Sequence, residues 1–502
     1  MIKPFRSLLL LFYVGVLLAV AVTFLPAKIE LPNGLALHFF TIESLFRSQT
    51  TQYADISGLE EQFKPEVEKT FTRESISETT PDTASLAAAR ADSLEARFRI
   101  QYPDGNDTLL HAFFRTLQNL PETKELVRAL HYGDSQVEGD RITAFLRNNF
   151  QNRFGGCGVG LVPLVDPLGN RMSLQISSDA AWKRSVAYGG DFRRSSPRHY
   201  GLLGSYYNFS FQYRQTVPGD SAARDSLARA PKLVNRKRDK VWVEYSKAHG
   251  SYLRGNRFEN IKLLYNNHGA ALKLKVQSRK DSINVYELAA SEQPQVMQVP
   301  FRETFRKVRL SFEGSGNPEF YAAALDCNYG VALDNMPFRG SSGTEFVRMD
   351  RNLLKSQFEA LNVKLIILQF GVNVVPYVIN DYTYYEKQFY NQLKLLRELA
   401  PEASILVVGV SDMSRKEGEV YTTYPNVEKI RDAQRKAAFR AGCAFWDLYT
   451  AMGGKDSMPS WVNAKPALAN KDFTHFSPKG AQLVAEMLFK SLMTEYENFS
   501  QR

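Results

Sequence analysis

The patterning of this chain predicts an α/β fold interrupted by an antiparallel β-sandwich, and three observations carry that expectation. Val363–Phe370 (VKLIILQF) and Ile405–Val410 (ILVVGV) are near-continuous apolar runs of strand length, the pattern of parallel strands covered on both faces. Between them Tyr385, Phe389, Leu393 and Leu396 recur at helical spacing. From about Leu168 to Leu325 the pattern changes to short, strictly alternating segments, such as Leu272-Lys273-Leu274-Lys275-Val276 and Val308-Arg309-Leu310-Ser311-Phe312, parted by Gly, Asn, Asp and Ser. That is antiparallel β with one buried face.

Length agrees with such a composite. A chain of 502 residues exceeds the ~100–200 residues of an ordinary domain, and 44% hydrophobic with 23% charged residues is a globular composition. At the start, Lys3 and Arg6 precede Leu8–Leu25, which carries no charge and approaches the ~20 residues that cross a bilayer. Residues 1–26 are therefore expected to be a signal segment. Its length favours an uncleaved inner-membrane anchor, although Ala19-Val20-Ala21 would suit a peptidase. The basic flank would leave everything after Pro26 outside, facing the periplasm.

Residues 27–95 are expected to be an extracytoplasmic linker, partly disordered, because Thr72–Ala91 is rich in Ser, Thr, Ala and charge and poor in large apolar side chains. The α/β domain should then occupy 96–165 and 326–502, with the sandwich at 166–325. In its first part a short apolar strand ends at HYGDS, and Ile142, Phe145, Leu146 and Phe150 mark the next helix. In its second part a helix runs from Asn426 to a left-handed stop at Gly442, before the strand CAFWDL. The last helix opens with Ser477 as N-cap and Pro478 in its first turn, burying Ala481, Val484, Leu488 and Leu492.

Composition narrows the function. Cys157, Cys327 and Cys443 are the three cysteines, an odd number that allows one intramolecular bridge in an exported chain, with Cys157 and Cys327 a conceivable pair. The seven histidines are scattered without metal-ligand spacing, so neither a metal nor a cofactor is expected. A net charge of +10 comes without a compact basic run interleaved with aromatics, and nucleic acid is not expected as a partner.

Four segments carry chemistry. Gly133-Asp134-Ser135 lies where a strand ends and a helix is expected, which puts Ser135 at the carboxyl edge of the sheet beside free backbone N–H groups. A serine hydroxyl needs a base, and the base needs a group that holds its tautomer. Asp472-Phe473-Thr474-His475 supplies both on the loop before the last helix. Negative charge developing on the substrate's carbonyl oxygen needs donors worth ~3–4 kcal/mol each. Asn373, after the VKLIILQF strand, offers a side-chain amide, and Gly340, after GVALDN, offers a backbone N–H with no side chain in the way. His131, near the serine, is read as structural.

In order, GDSQ, MPFRGSSG, GVN and DFTH resemble the blocks of the SGNH (GDSL-like) hydrolase family, over roughly 125–160 and 325–495. The resemblance implies a flavodoxin-like three-layer α/β/α domain. It also implies Ser135 as nucleophile, His475 as base, Asp472 as its orienter, and the Ser135 backbone, Gly340 and Asn373 as oxyanion donors. The chain departs from the family where Val374 replaces the usual Asp after the asparagine and where Pro337 replaces a common Gly, which bears on substrate shape. Some envelope carbohydrate esterases of the family carry a β-sandwich similar to a carbohydrate-binding module, and the insert resembles that arrangement, jelly-roll-like in form.

The expected activity is that of an O-acyl, and in particular O-acetyl, esterase on an envelope polysaccharide or peptidoglycan. Two alternatives remain at this point. One is an O-acetyltransferase working with a membrane O-acyltransferase partner, and the other is a catalytically idle glycan-binding protein. Trp182 and Trp242 are weighed as sugar platforms against the commoner fate of sandwich aromatics, which is the core.

Overall fold

The computed structural model describes residues 53–62 and 96–502, apart from 170, 190–197, 210–211, 219–230, 238–239, 280–281, 302–306 and 315–317, together with short pieces before residue 39. Its centre is a six-stranded sheet ordered 330–337, 126–133, 363–369, 404–408, 444–446 and 100–101. The first five strands are parallel. Ile100–Gln101 closes the far edge antiparallel to Ala444–Trp446.

Because successive strand residues face opposite ways, the apolar runs divide between two cores. Leu130, Tyr132, Ile366, Leu368, Ile405 and Val407 face one layer, where they meet Tyr385, Phe389, Leu393 and Leu396 of the helix Thr383–Leu399 and Ile430 and Ala437 of the helix Val427–Arg440. Val127, Ala129, Leu365, Ile367, Leu406 and Val408 face the other. There Phe113, Phe114 and Leu117 of His111–Thr123, Leu146 and Phe150 of Thr143–Phe154, and Val484 and Leu488 of Pro478–Ser500 cover them. The result is the three-layer α/β/α arrangement.

Helix ends follow the sequence closely. Ser477 accepts the Gly480 amide and Pro478 occupies the first turn, while Gly442 stops its helix at φ +64, a conformation that costs glycine nothing. At Ser135 the outcome differs from expectation. No α-helix starts directly after Ser135; Glu138–Asp140 forms a 3₁₀ turn with Gly139 at φ 70, and the helix begins at Thr143.

The insert packs two antiparallel sheets face to face. One runs in the order 282–288, 272–279, 307–313, 240–247, 174–178; the other runs 291–300, 260–267, 318–326, 205–209, 182–186. Gly158–Val162 also pairs with Pro318–Asp326, so the sandwich recruits a strand from upstream of residue 166. Val241, Val243, Leu274, Val276, Leu310 and Phe312 meet Ile261, Leu263, Phe320 and Leu325 in its core.

Two devices tie insert and α/β domain together. Cys157 and Cys327 form a disulfide across the two crossing points of the chain, and Cys443 is free and buried. Beside it the fully buried Arg128 guanidinium pairs with Asp334 at 2.7 Å and with Asp326. Asp334 also accepts the Leu161 amide at 3.0 Å, linking the central sheet to the sandwich strands on either side of the junction.

Trp182 is a core residue. It is 8% exposed and packed edge-on against Phe209, Phe312 and Phe320. Trp242 is half-buried beneath the Arg309 guanidinium, 4.3 Å from the ring centroid. Trp182 therefore presents no ring for a sugar, and one face of Trp242 is taken by Arg309.

The expected anchor at Leu8–Leu25 lies largely outside the described residues, and among the described residues no helix is long and apolar enough to cross a membrane. Thr72–Ala91 also lies outside them. Within the expected linker, however, Ala54–Gln62 is docked on the α/β domain. Leu59 is buried in the core, the Ala54 amide donates to the Asp456 carbonyl, and Ser460 Oγ donates to the Ala54 carbonyl at 2.6 Å.

Candidate active site

The strand Leu126–Gly133 delivers Ser135 to the carboxyl edge of the sheet through a turn with no spare room. A Cβ on Gly133 would lie 2.8 Å from the Gln369 carbonyl and from Val137, so this position requires glycine. Ser135 is half-buried, between the buried Asp134 and Gln136.

His475 reaches it from the opposite loop. Its Nε2 lies 2.8 Å from Ser135 Oγ, and its Nδ1 lies 2.8 Å from Asp472 Oδ2. Asp472 Oδ1 accepts the backbone amides of His475 and Thr474, both at 3.0 Å, so the carboxylate is fixed by the same short turn that presents the imidazole. Partial burial pushes the Asp472 carboxyl up, but the His475 amide and ring and the Thr474 amide together hold it below the ordinary carboxylate range. The turn is shaped by Phe473 at φ 54, whose ring stacks on Tyr421.

The two oxyanion candidates flank the serine. Asn373 donates one amide hydrogen to the Ser341 carbonyl at 2.9 Å, which orients the side chain and leaves its second N–H uncommitted by that bond. Gly340 sits at φ +77 in the loop after Gly330–Pro337, and this loop is fastened to the strand Leu126–Gly133 by Phe338 N–H donating to the Gly133 carbonyl at 2.7 Å. Ser135, Gly340, Asn373, Asp472 and His475 all line one pocket of about 400 Å³. The structure thus gathers the five residues singled out in the sequence. Val374 turns into the core, 4% exposed.

Four neighbours with no assigned role prove central to the geometry. Asp134 accepts the Gln136 amide on one oxygen and those of Gly371 and Val372 on the other, binding the serine loop to the Asn373 loop. Burial pushes its carboxyl up to about 6 against those donors. The Gln136 side chain donates to the Thr474 carbonyl at 2.7 Å and so ties the serine loop to the histidine loop. Arg141 donates to the Ser135 carbonyl at 2.6 Å and to the Glu138 carbonyl at 2.9 Å. Arg147 grips Asp140 through two bonds of 2.9 and 3.0 Å, and Asp140 also accepts Ser173 Oγ. Asp134 and Gln136 stand inside the quoted GDSQ block; Arg141 and Arg147 carried no signal beyond a helix face.

His131 is structural. It is fully buried between Gln369 Oε1 at 3.0 Å and Thr143 Oγ1 at 3.1 Å, and burial lowers its pKa to about 4, which keeps the ring neutral. On the insert, His199, His268 and Glu319 bring one donor atom each within 4.8 Å of one another, a set that could hold a metal ion apart from the serine pocket.

Comparison with known proteins agrees with this geometry. Residues 306–483 match the GDSL-like Lipase/Acylhydrolase family, a stretch that contains Gly340, Asn373, Asp472 and His475. No curated protein matches the chain in sequence. A solved peptidoglycan O-acetylesterase superposes with a TM-score of 0.61 at 21% identity, covering 80% of this chain and 99% of its own. A GDSL-like lipase from Parabacteroides merdae (TM-score 0.23, 18% identity, covering 32% and 72%) and a family 29 carbohydrate-binding module (0.16, 11%, 30% and 90%) overlap too slightly to bear on the fold. The chain thus shares the fold of that O-acetylesterase over 80% of its length, and its residues 306–483 are similar to the GDSL-like Lipase/Acylhydrolase family.

Proposed function

We propose that the protein is a serine-dependent O-acyl esterase that removes acetyl groups from a cell-envelope glycan. The observation that carries this reading is the unbroken hydrogen-bonded chain Asp472–His475–Ser135, with both links at 2.8 Å, opening into a pocket that also holds Asn373 and Gly340.

In that geometry Ser135 Oγ attacks the ester carbonyl while its proton passes to His475 Nε2. Asp472 holds the Nδ1 proton and stabilises the imidazolium without taking the proton itself. The oxyanion takes hydrogen bonds from the Ser135 and Gly340 backbone and from Asn373. Collapse of the intermediate returns the proton to the sugar oxygen, releasing the alcohol and leaving an acyl-serine. Water, deprotonated by His475, then attacks the acyl carbon, and the acid leaves with Ser135 reprotonated. A sugar hydroxyl in place of that water would make the same acyl-enzyme a transferase, handing on an acetyl group delivered by a membrane acyltransferase.

The glycan substrate is supported by the inserted sandwich, and by the solved peptidoglycan O-acetylesterase whose fold this chain shares over 80% of its length. An extracytoplasmic, membrane-anchored setting is supported by Leu8–Leu25 behind Lys3 and Arg6 and by the Cys157–Cys327 disulfide, a bond that persists in oxidising compartments.

The deciding experiment is release of acetate from O-acetylated envelope glycan and from a chromogenic acetyl ester, by wild type and by Ser135→Ala. Turnover that vanishes in the variant supports the reading. A folded wild type that releases no acetate and forms no acyl-serine, even with sugar acceptors present, leaves the glycan-binding alternative in its place.

A further inference from the structure

Next to the serine pocket lies a larger cavity of about 780 Å³, walled on one side by the α/β domain and on the other by the insert. The two spaces adjoin, since Glu138, Gly139, Arg339 and Gly340 line both. A glycan whose acyl group reaches Ser135 would therefore lay its neighbouring sugars in this cavity.

The charge there is arranged for an anion. Arg171, just before the insert strand Leu174–Ser178, and Arg184, within Trp182–Val186, both line the cavity. Among the described residues the Nε of each is buried without a hydrogen-bond partner. Arg184 donates to the neutral Tyr188 hydroxyl at 2.7 Å, and among the described residues no carboxylate pairs with Arg171 or Arg184. Of the two acids that line the cavity, Glu138 faces Arg339 at 3.6 Å and Asp166 accepts the Leu168 amide at 3.1 Å. A buried guanidinium N–H left unpaired is costly unless something completes it.

The placement is also braced. Met172 N–H donates to the Gly139 carbonyl at 2.9 Å and Ser173 Oγ donates to Asp140. The segment bearing Arg171 is thereby pinned to the turn that follows the nucleophile.

We infer that this cavity is a subsite for a carboxylate carried by the acylated glycan, bound by Arg171 and Arg184. The planar fork of a guanidinium matches a carboxylate through two parallel N–H···O bonds. Resting on the esterase reading above, this makes the substrate an acidic glycan whose acyl group and carboxylate lie on the same or adjoining sugar units. The carboxylate belongs either to a hexuronate or to a free carboxyl on a peptide attached to the sugar.

Binding to the full-length Ser135→Ala protein tests the subsite without turnover. Calorimetric titrations would use an oligouronate and a muropeptide with free carboxyls, each alongside its methylamide-capped form. The expected result is that one free acid binds about tenfold or more tighter than its capped form. Added salt should shrink the difference, and Arg171→Gln or Arg184→Gln should erase it. Arg171→Lys, which keeps the charge and loses the fork, should give an intermediate value and serves should the Gln variants prove unfolded by thermal melting. Which free acid responds identifies the source of the carboxylate. Equal binding of capped and free forms, or a difference that survives the substitutions, overturns the subsite. Failure of the esterase reading shows separately, as absent Ser135-dependent acetate release.

Discussion

Gly371 donates its backbone amide to Asp134 at 3.1 Å, so the residue before the candidate nucleophile also positions the loop that carries Asn373. Val372 adds a second amide to the same oxygen at 3.3 Å. The placement of Asn373 relative to Ser135 is thus set by one buried carboxylate. Asp134→Ala should lower kcat on a small acetyl ester by about 10²-fold, the cost of a loosely held catalytic group, with KM little changed. A double-mutant cycle tests the positioning role: Asn373→Ala should cost clearly less in the Asp134→Ala background than in wild type. Strictly additive losses would leave Asp134 with no part in placing Asn373.

Asn373 itself is held by the Ser341 carbonyl at 2.9 Å, an arrangement that fixes the amide before substrate arrives. Removing one preorganised oxyanion donor costs roughly 10²–10³ in kcat. Asn373→Ala should show that loss in steady-state kinetics with KM within a few fold of wild type. A variant that keeps its kcat and raises KM would make Asn373 a ground-state contact instead.

The fold was legible in the sequence wherever burial imposes a period. Val363–Gln369 and Ser404–Val408 are covered on both faces and therefore read as unbroken apolar runs. The helix Pro478–Ser500 announces itself through Ser477 and Pro478. The serine, asparagine and DxxH blocks were legible because the chemistry restricts which side chains can stand at a strand end. What escaped is tertiary. The turn between Ser135 and Thr143 is held open by Arg147, Asp140 and Ser173, and the last of these comes from the insert. The inward face of Trp182 depends on pairing with Phe209, which the strand's own letters do not specify. Docking of residues 54–62 rests on Ile56 and Leu59, too few apolar positions to show a period.

Two buried carboxyls give stability a definite pH dependence. Burial pushes both Asp134 and Asp412 up to about 6 from 3.8, against hydrogen bonds from their neighbours. Each binds a proton more tightly folded than unfolded. Their stabilising contribution is therefore fully present below the unfolded value and is lost as pH rises through about 6, on the order of 2–3 kcal/mol each. Asp412 can be tested away from the serine, since it braces Met458, Thr423 and Ser457. Across pH 4–7, urea unfolding should show wild type losing stability relative to Asp412→Asn, whose amide does not titrate. Parallel pH profiles for the two proteins would show that Asp412 titrates alike in both states.

At the junction the fully buried Arg128 faces two carboxylates, Asp326 and Asp334, within one patch that joins the central sheet to the insert. Removing the cation strands both acids in an apolar environment, and breaking a buried ion pair from one side costs about 3–5 kcal/mol. Arg128→Met should destabilise the protein by that amount in urea unfolding, even though methionine fills much of the space. The triple substitution Arg128→Met, Asp326→Leu, Asp334→Leu removes the stranded charges and should recover most of the loss, because well-packed apolar replacements of buried ion pairs are often neutral. The Leu161 amide, bonded to Asp334 at 3.0 Å, would lose its acceptor and keeps recovery short of complete. A single Arg128→Met variant as stable as wild type would mean that water reaches the carboxylates and that the patch is not the seal between the two parts of the chain.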